Sequence, residues 1–165
     1  MQDAEPTAAL SQIADFETLA TYTDRFASSA RTRVDVVTPN LEPQLYDRPA
    51  FVAAVERFAL DRRDARVRIL VADAQAAVRY SRRLIPLTRR LPSVFELRQL
   101  RPKHADSPRA LLIIDGRHVI DRPQGGRPDG VASEDSPGRA KPYAETFEAL
   151  YAESDPHTEF RGLQL

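Results

Sequence analysis

Hydrophobic positions along the chain switch between helical and strand spacing, and their order predicts α β α β α β β β α. Ile13, Phe16, Leu19, Ala20 and Phe26 recur at roughly helical intervals, giving a first helix that ends near Ser29 after an acidic opening frayed to about Pro6. "RVDVVT" at 33–38 is a short β-branched strand, stopped by the turn "PNLEP" with its two prolines and the chain's one Asn, Asn40. Asp47 offers an N-cap and Pro49 suits a first helical turn, opening a helix whose Phe51, Val55 and Phe58 share a face. "RVRILVAD" at 66–73 runs continuously apolar after its first residues, as an interior strand covered on both faces does, and Asp73 caps the next helix.

From 74 to 91 the spacing predicts one helix, with Ala77, Tyr80, Leu84, Leu87 and Leu91 on the buried stripe, arginines opposite, and a kink at Pro86. "SVFELRQL" alternates as a strand. "ALLIIDGRHVI" divides at Asp115-Gly116, the strongest hairpin signal in the chain. Residues 121–138 are rich enough in Gly, Pro and Asp to predict a long irregular loop before a last helix, about 139–153, burying Tyr143, Phe147, Leu150 and Tyr151. Strands separated by helices predict an α/β fold: a mostly parallel sheet with helices on both faces and a C-terminal β-hairpin. The expected division is a disordered segment at 1–10, a single domain over 11–155 and a tail at 156–165.

Composition narrows the chemistry. The 165 residues include no cysteine, which excludes disulfides, thiol nucleophiles and thiolate metal sites and suits a cytoplasmic location. No apolar run approaches the roughly 20 residues of a membrane span, and no basic leader precedes an apolar stretch. The formal charge of zero is unevenly spread: residues 57–103 carry 13 basic and 4 acidic side chains, a net of +9, between flanks of −5 and −4. That asymmetry suits a polyanion, a phosphate ligand or the acidic face of a second copy. Arg79, Arg82, Arg83 and Arg90, on one side of the helix expected at 74–91, are the candidate anion-binding residues, because guanidinium forks match phosphate oxygens.

The element order and the stretch "ALLIIDGRHVI" resemble one half of a phospholipase D-like fold. In that family a strand carries His-x-Lys, then four residues, then Asp-Gly. Here Asp115 keeps the aspartate, whereas Pro108 stands at the histidine position and Ala110 at the lysine position. The resemblance implies a mechanism that needs an imidazole nucleophile and a phosphate-holding lysine, so their loss implies a non-catalytic domain with a binding or regulatory role. Enzymes of that family bring two halves together, which implies a homodimer for a single half. The segment "LEPQLYD" at 41–47 is similar to one in a family of short bacterial proteins, some of which carry acetyltransferase-related labels.

Two alternatives stand beside this reading, an arginine-mediated nucleic-acid or phosphate binder and an acyltransferase-related or phosphodiesterase enzyme. An acyl-CoA loop would place glycines between a strand and a helix N-terminus. The nearest match, "RPQGGR" at 122–127, ends in arginine and runs into "PDG". His104, His118 and His157 lack metal-ligand spacing, so no metal or cofactor is expected. His118 is close enough in sequence to face Asp115 across the hairpin turn.

Overall fold

The computed structural model describes residues 10–106 and 109–161. The chain opens with β1 (Leu10–Ile13), α1 (Phe16–Ser28) and β2 (Arg33–Thr38), and then a π-helical turn over Glu42–Tyr46. Next come α2 (Pro49–Asp61), β3 (Arg66–Val71), α3 (Ala74–Tyr80), α4 (Leu84–Arg90) and β4 (Phe95–Gln99). A short α5 (Pro102–Ala105) leads to β5 (Ala110–Ile114), β6 (His118–Arg122) and β7 (Gly130–Ser133). The long α6 (Pro137–Ala152), β8 (Asp155–Pro156) and a 3-10 turn at Thr158–Arg161 end the described chain.

All eight strands form one sheet in the order β1-β7-β6-β5-β2-β3-β4-β8. The sheet is mixed and mostly antiparallel, which corrects the expectation of a mostly parallel one. Only β2–β3 and β3–β4 pair in parallel, because only those connections carry helical crossovers long enough to return the chain to the same end. After β4 the chain passes through four-residue α5 and enters β5 from the opposite end, so β5 runs antiparallel to β2. The hairpin β5–β6 forms through Asp115 and Gly116, at φ 57° and 66°, closed by the Arg117 N–H on the Ile114 carbonyl. It lies mid-sheet, with β7, α6 and β8 still to come, so it is not C-terminal.

Helices cover both faces unequally. The inner side of β2 and β3 packs Val34, Val36, Val67 and Ile69 with Leu19 and Phe26 of α1 and Phe51, Val55 and Phe58 of α2. The other face packs Val37, Leu70, Leu111, Ile113 and Val119 against Ala140 and Phe147 of α6. There Arg68 crosses from β3 to α6. Its guanidinium bonds Asp35 and Glu148 and lies 4.8 and 4.9 Å from the Phe147 and Tyr151 ring centres.

Three further expectations change. The helix expected at 74–91 breaks at Ser81–Arg83 into α3 and α4, so Pro86 lies in the first turn of α4, where a missing N–H costs nothing, and kinks no helix. The break also turns Tyr80 outward, leaving it 54% exposed. The loop expected at 121–138 contains β7, and Ile13, assigned to the first helix, belongs to β1. Asp73 does cap α3, accepting the Ala76 N–H at 3.1 Å. Asp47 does not cap α2, whose N-cap is Arg48. Its buried carboxylate instead accepts the N–H groups of Arg82, Arg83 and Leu84 and the Ser81 hydroxyl at 2.8–3.1 Å, closing the break before α4.

Candidate functional site

Strand register gathers several chain ends at one edge of the sheet. Thr38, Val71 and Gln99 close the three parallel strands side by side, and Ala110, next along the β2–β5 ladder, pairs with Arg122 of β6. Carboxyl ends of adjacent parallel strands are where open α/β sheets take ligands. The lysine position of the resembled motif therefore lies at the correct end of the sheet, but it is Ala110, 1% exposed. Pro108, at the histidine position, lies outside the described residues.

A cation does stand beside Ala110, on the neighbouring strand. Arg122 is 2% exposed, and its Nη1 and Nη2 each donate to Glu42 at 2.8 Å. The same carboxylate accepts the Thr38 hydroxyl at 2.8 Å and the Gly126 N–H at 2.9 Å, while Arg122 Nη1 also donates to the Arg127 carbonyl. Burial pushes the Glu42 carboxyl up, but the bonds and charge of Arg122, with Gly126 and Thr38, outweigh it and hold the group below its ordinary value. Tyr46, fully enclosed next to the pair, is pushed up to about 12, chiefly by burial. On this face the end of the sheet is filled by a sealed, mutually neutralised ion pair. Sequence reasoning missed it because Glu42 and Arg122 are 80 residues apart. On the α6 face the same end holds a cavity of about 140 Å³, walled by Val37, Leu100, Leu111 and Leu150 with His104 and Arg109. His104 and Arg109 have carboxylate partners, Glu153 and Asp121, and Thr146 also lines the cavity.

Asp115, the surviving motif residue, sits at the opposite end of β5. Its carboxylate accepts the N–H groups of Arg31, Thr32 and Arg33 and the Thr32 hydroxyl at 2.8–3.2 Å. Burial raises its pKa, but the three amides more than reverse that and bring it below the ordinary value. It ties the hairpin to the start of β2 and is remote from the Ala110 end. His118 does not meet Asp115 in a hydrogen bond. Its Nδ1 accepts the Asp135 N–H at 3.0 Å and its ring lies 5.1 Å from that of Phe26.

The four candidate arginines are all exposed but are not one row on one helix. Arg79 lies in the last turn of α3, with its guanidinium 5.5 Å from the Tyr80 ring centre. Arg82 and Arg83 lie in the break, and Arg90 ends α4, paired with Glu56 at 3.2 Å. Arg83 reaches the Asp47 carbonyl at 3.3 Å. The segment "RPQGGR" leads from β6 towards β7 without entering a helix, so it does not stand before a helix N-terminus as an acyl-CoA loop does, and its Arg122 is committed to Glu42. Among the described residues no helix is long and apolar enough to cross a membrane.

Residues 15–163 match the family model described as "Domain of unknown function (DUF7931)". No curated protein matches the chain significantly. Among solved structures it is similar to NucT from Helicobacter pylori, with a TM-score of 0.64 and 12% identity over 90% of this chain and 99% of that one. Nuc from Salmonella typhimurium, a phospholipase D family member, gives 0.59 and 12% over the same shares. An archaeal chromatin protein, TrmBL2, whose structure shows a novel mode of DNA binding, gives 0.63 and 13%, over 95% of this chain but 57% of that one. At these identities the likeness is one of fold, and the fold is phospholipase D-like.

Proposed function

We propose that this chain, which belongs to the DUF7931 family, is a non-catalytic phospholipase D-like domain that acts by binding, in the cytoplasm. One observation carries the reading. Where the resembled enzymes place a phosphate-holding lysine, this chain has buried Ala110, and the cation opposite it, Arg122, is already neutralised by Glu42. At that end the motif positions offer a phosphodiester neither an imidazole nor a lysine, and the cation beside them is already paired.

The test is turnover of bis(p-nitrophenyl) phosphate and of single-stranded DNA by repurified protein. The expected rate is that of buffer. Turnover that survives repurification and disappears in Arg122→Lys overturns the reading.

A polyanion is the partner that the surface favours. Tyr80 is exposed beside Arg79, and Arg82 and Arg83 come directly after, so an aromatic face and three guanidinium groups occupy one short segment. Bases stack on such a ring while phosphates meet the arginines. That TrmBL2 binds DNA on a similar fold is consistent with this occupant.

A further inference from the structure

The donors around Glu42 are more than one structural ion pair needs. A guanidinium fork from the end of β6, a hydroxyl from the end of β2 and a backbone amide from the loop after β6 converge on two carboxylate oxygens at 2.8–2.9 Å. A fork, a hydroxyl and a glycine amide are the usual recognition set for an oxyanion. Gly126 presents its amide at φ 88°, a backbone that a side chain would strain.

The occupant is held in by effort. Leu41 and Glu42 are both left-handed, at φ 68° and 33°, and neither is glycine. Such residues are strained and persist only where the surroundings impose them. They open a π-helical turn, a rare form that is frequent at functional sites. A buried ion pair is itself weak evidence of stability, since apolar residues of similar volume commonly serve as well. A strained turn that delivers a carboxylate into a ready donor set, at the ligand end of the sheet, needs another reason.

We propose that Thr38, Arg122 and the Gly126 amide form an oxyanion cradle, of a size for a phosphate or carboxylate group, which Glu42 occupies as the chain's internal ligand and vacates when the 41–46 turn moves. The cradle rests on the reading of a closed, non-catalytic end of the sheet, and it adds what that end would hold when opened. Relief of the left-handed backbone favours departure of the turn, and an arriving oxyanion replaces the broken bonds to Arg122.

The experiment is thermal unfolding of Glu42→Ala in sodium phosphate, sodium acetate and sodium chloride at matched ionic strength and pH. The midpoint is expected to rise by at least about 3 °C in about 50 mM phosphate or acetate relative to chloride, since a ligand of the folded state stabilises it by mass action. The better anion of the two identifies the ligand class. The rise should vanish in Glu42→Ala/Arg122→Lys and be much smaller in the unmodified chain, where the anion has to displace Glu42. Indifference of Glu42→Ala to both anions overturns the proposal, and so does an equal rise in the unmodified chain, which places the anion elsewhere. If Glu42→Ala folds only with phosphate or acetate present, the cradle is supported. If it folds in none of the buffers, Glu42→Gln decides: a midpoint raised by either anion supports the cradle and indifference overturns it. Failure here leaves the turnover result on the unmodified chain untouched, so the two readings fall separately.

Discussion

Asp47 caps a helix that starts 37 residues further on: its Oδ1 accepts the Leu84 N–H at 2.8 Å, and the same carboxylate takes the amides of Arg82 and Arg83. The carboxylate and Leu84 are both buried, so the Leu84 amide has no water to turn to. Asp47→Ala is expected to cost about 3 kcal/mol, the loss of a cap together with a buried unpaired amide. Urea unfolding measures it. A cost below about 0.5 kcal/mol, the scale of an ordinary surface change, would show that the break holds itself.

Asp115 makes a similar long-range tie at the other end of the sheet, and its effect depends on pH. Its carboxyl is held below the ordinary value in the folded chain by the amides of Arg33, Thr32 and Arg31 against the opposing effect of burial. The stabilisation is therefore complete above the unfolded pKa, about 3.9, and is lost as pH falls through the lower folded value. Asparagine tolerates the left-handed turn at φ 57°, so Asp115→Asn removes the charge and leaves the hairpin its backbone. The variant should lose about 1–2 kcal/mol at neutral pH and approach the parent as both are acidified below about pH 4. Parallel stability curves from pH 7 to 3 would deny Asp115 this role.

These two aspartates also show where the sequence was legible and where it was not. Strands β2 and β3, the helix start at Pro49, the Asp73 cap and the Asp115-Gly116 turn were readable, because each rests on neighbours within a few residues. Asp47 has the local pattern of a cap for the adjacent helix, since nothing local reveals that its partners lie past residue 80. The same limit hid the Glu42–Arg122 pair. It also hid the pairing of β5 with β2, which makes the sheet mostly antiparallel. β1 and β7, of four residues each, are too short to show a period, and β7 comes after a run dominated by Gly, Pro and Asp.

Self-association is expected, as the half-domain resemblance implies, and the β1 edge of the sheet offers a surface for it. Leu10 on this strand is 57% exposed and borders a groove formed with Val119, Val131, Pro142 and Tyr143. The +9 middle and acidic flanks of the chain give two copies complementary charge. Sedimentation at micromolar concentration should give twice the 18.5 kDa chain mass, and Leu10→Lys should shift it towards monomer. A monomer in both low and moderate salt would leave the half-domain solitary.

The arginine segment makes the most direct functional prediction. Because the helix breaks at Ser81–Arg83, Arg79, Tyr80, Arg82 and Arg83 share one short stretch, whereas Arg90 stands at the far end of α4 with Glu56 as partner. Binding of single-stranded DNA at low salt should therefore fall most in Arg79→Ala, Arg82→Ala and Arg83→Ala combined, and least in Arg90→Ala. Tyr80→Ala removes a stacking face and should cost about 1–3 kcal/mol with no change in salt dependence, since stacking releases no counterions. The arginine changes should instead flatten the plot of log affinity against log salt, by about 0.7 for each single-strand phosphate that is no longer neutralised. Fluorescence anisotropy across a salt series separates the two effects. Should the triple arginine variant bind as tightly and with the same slope as the parent, the segment is a solvated surface and the polyanion reading fails.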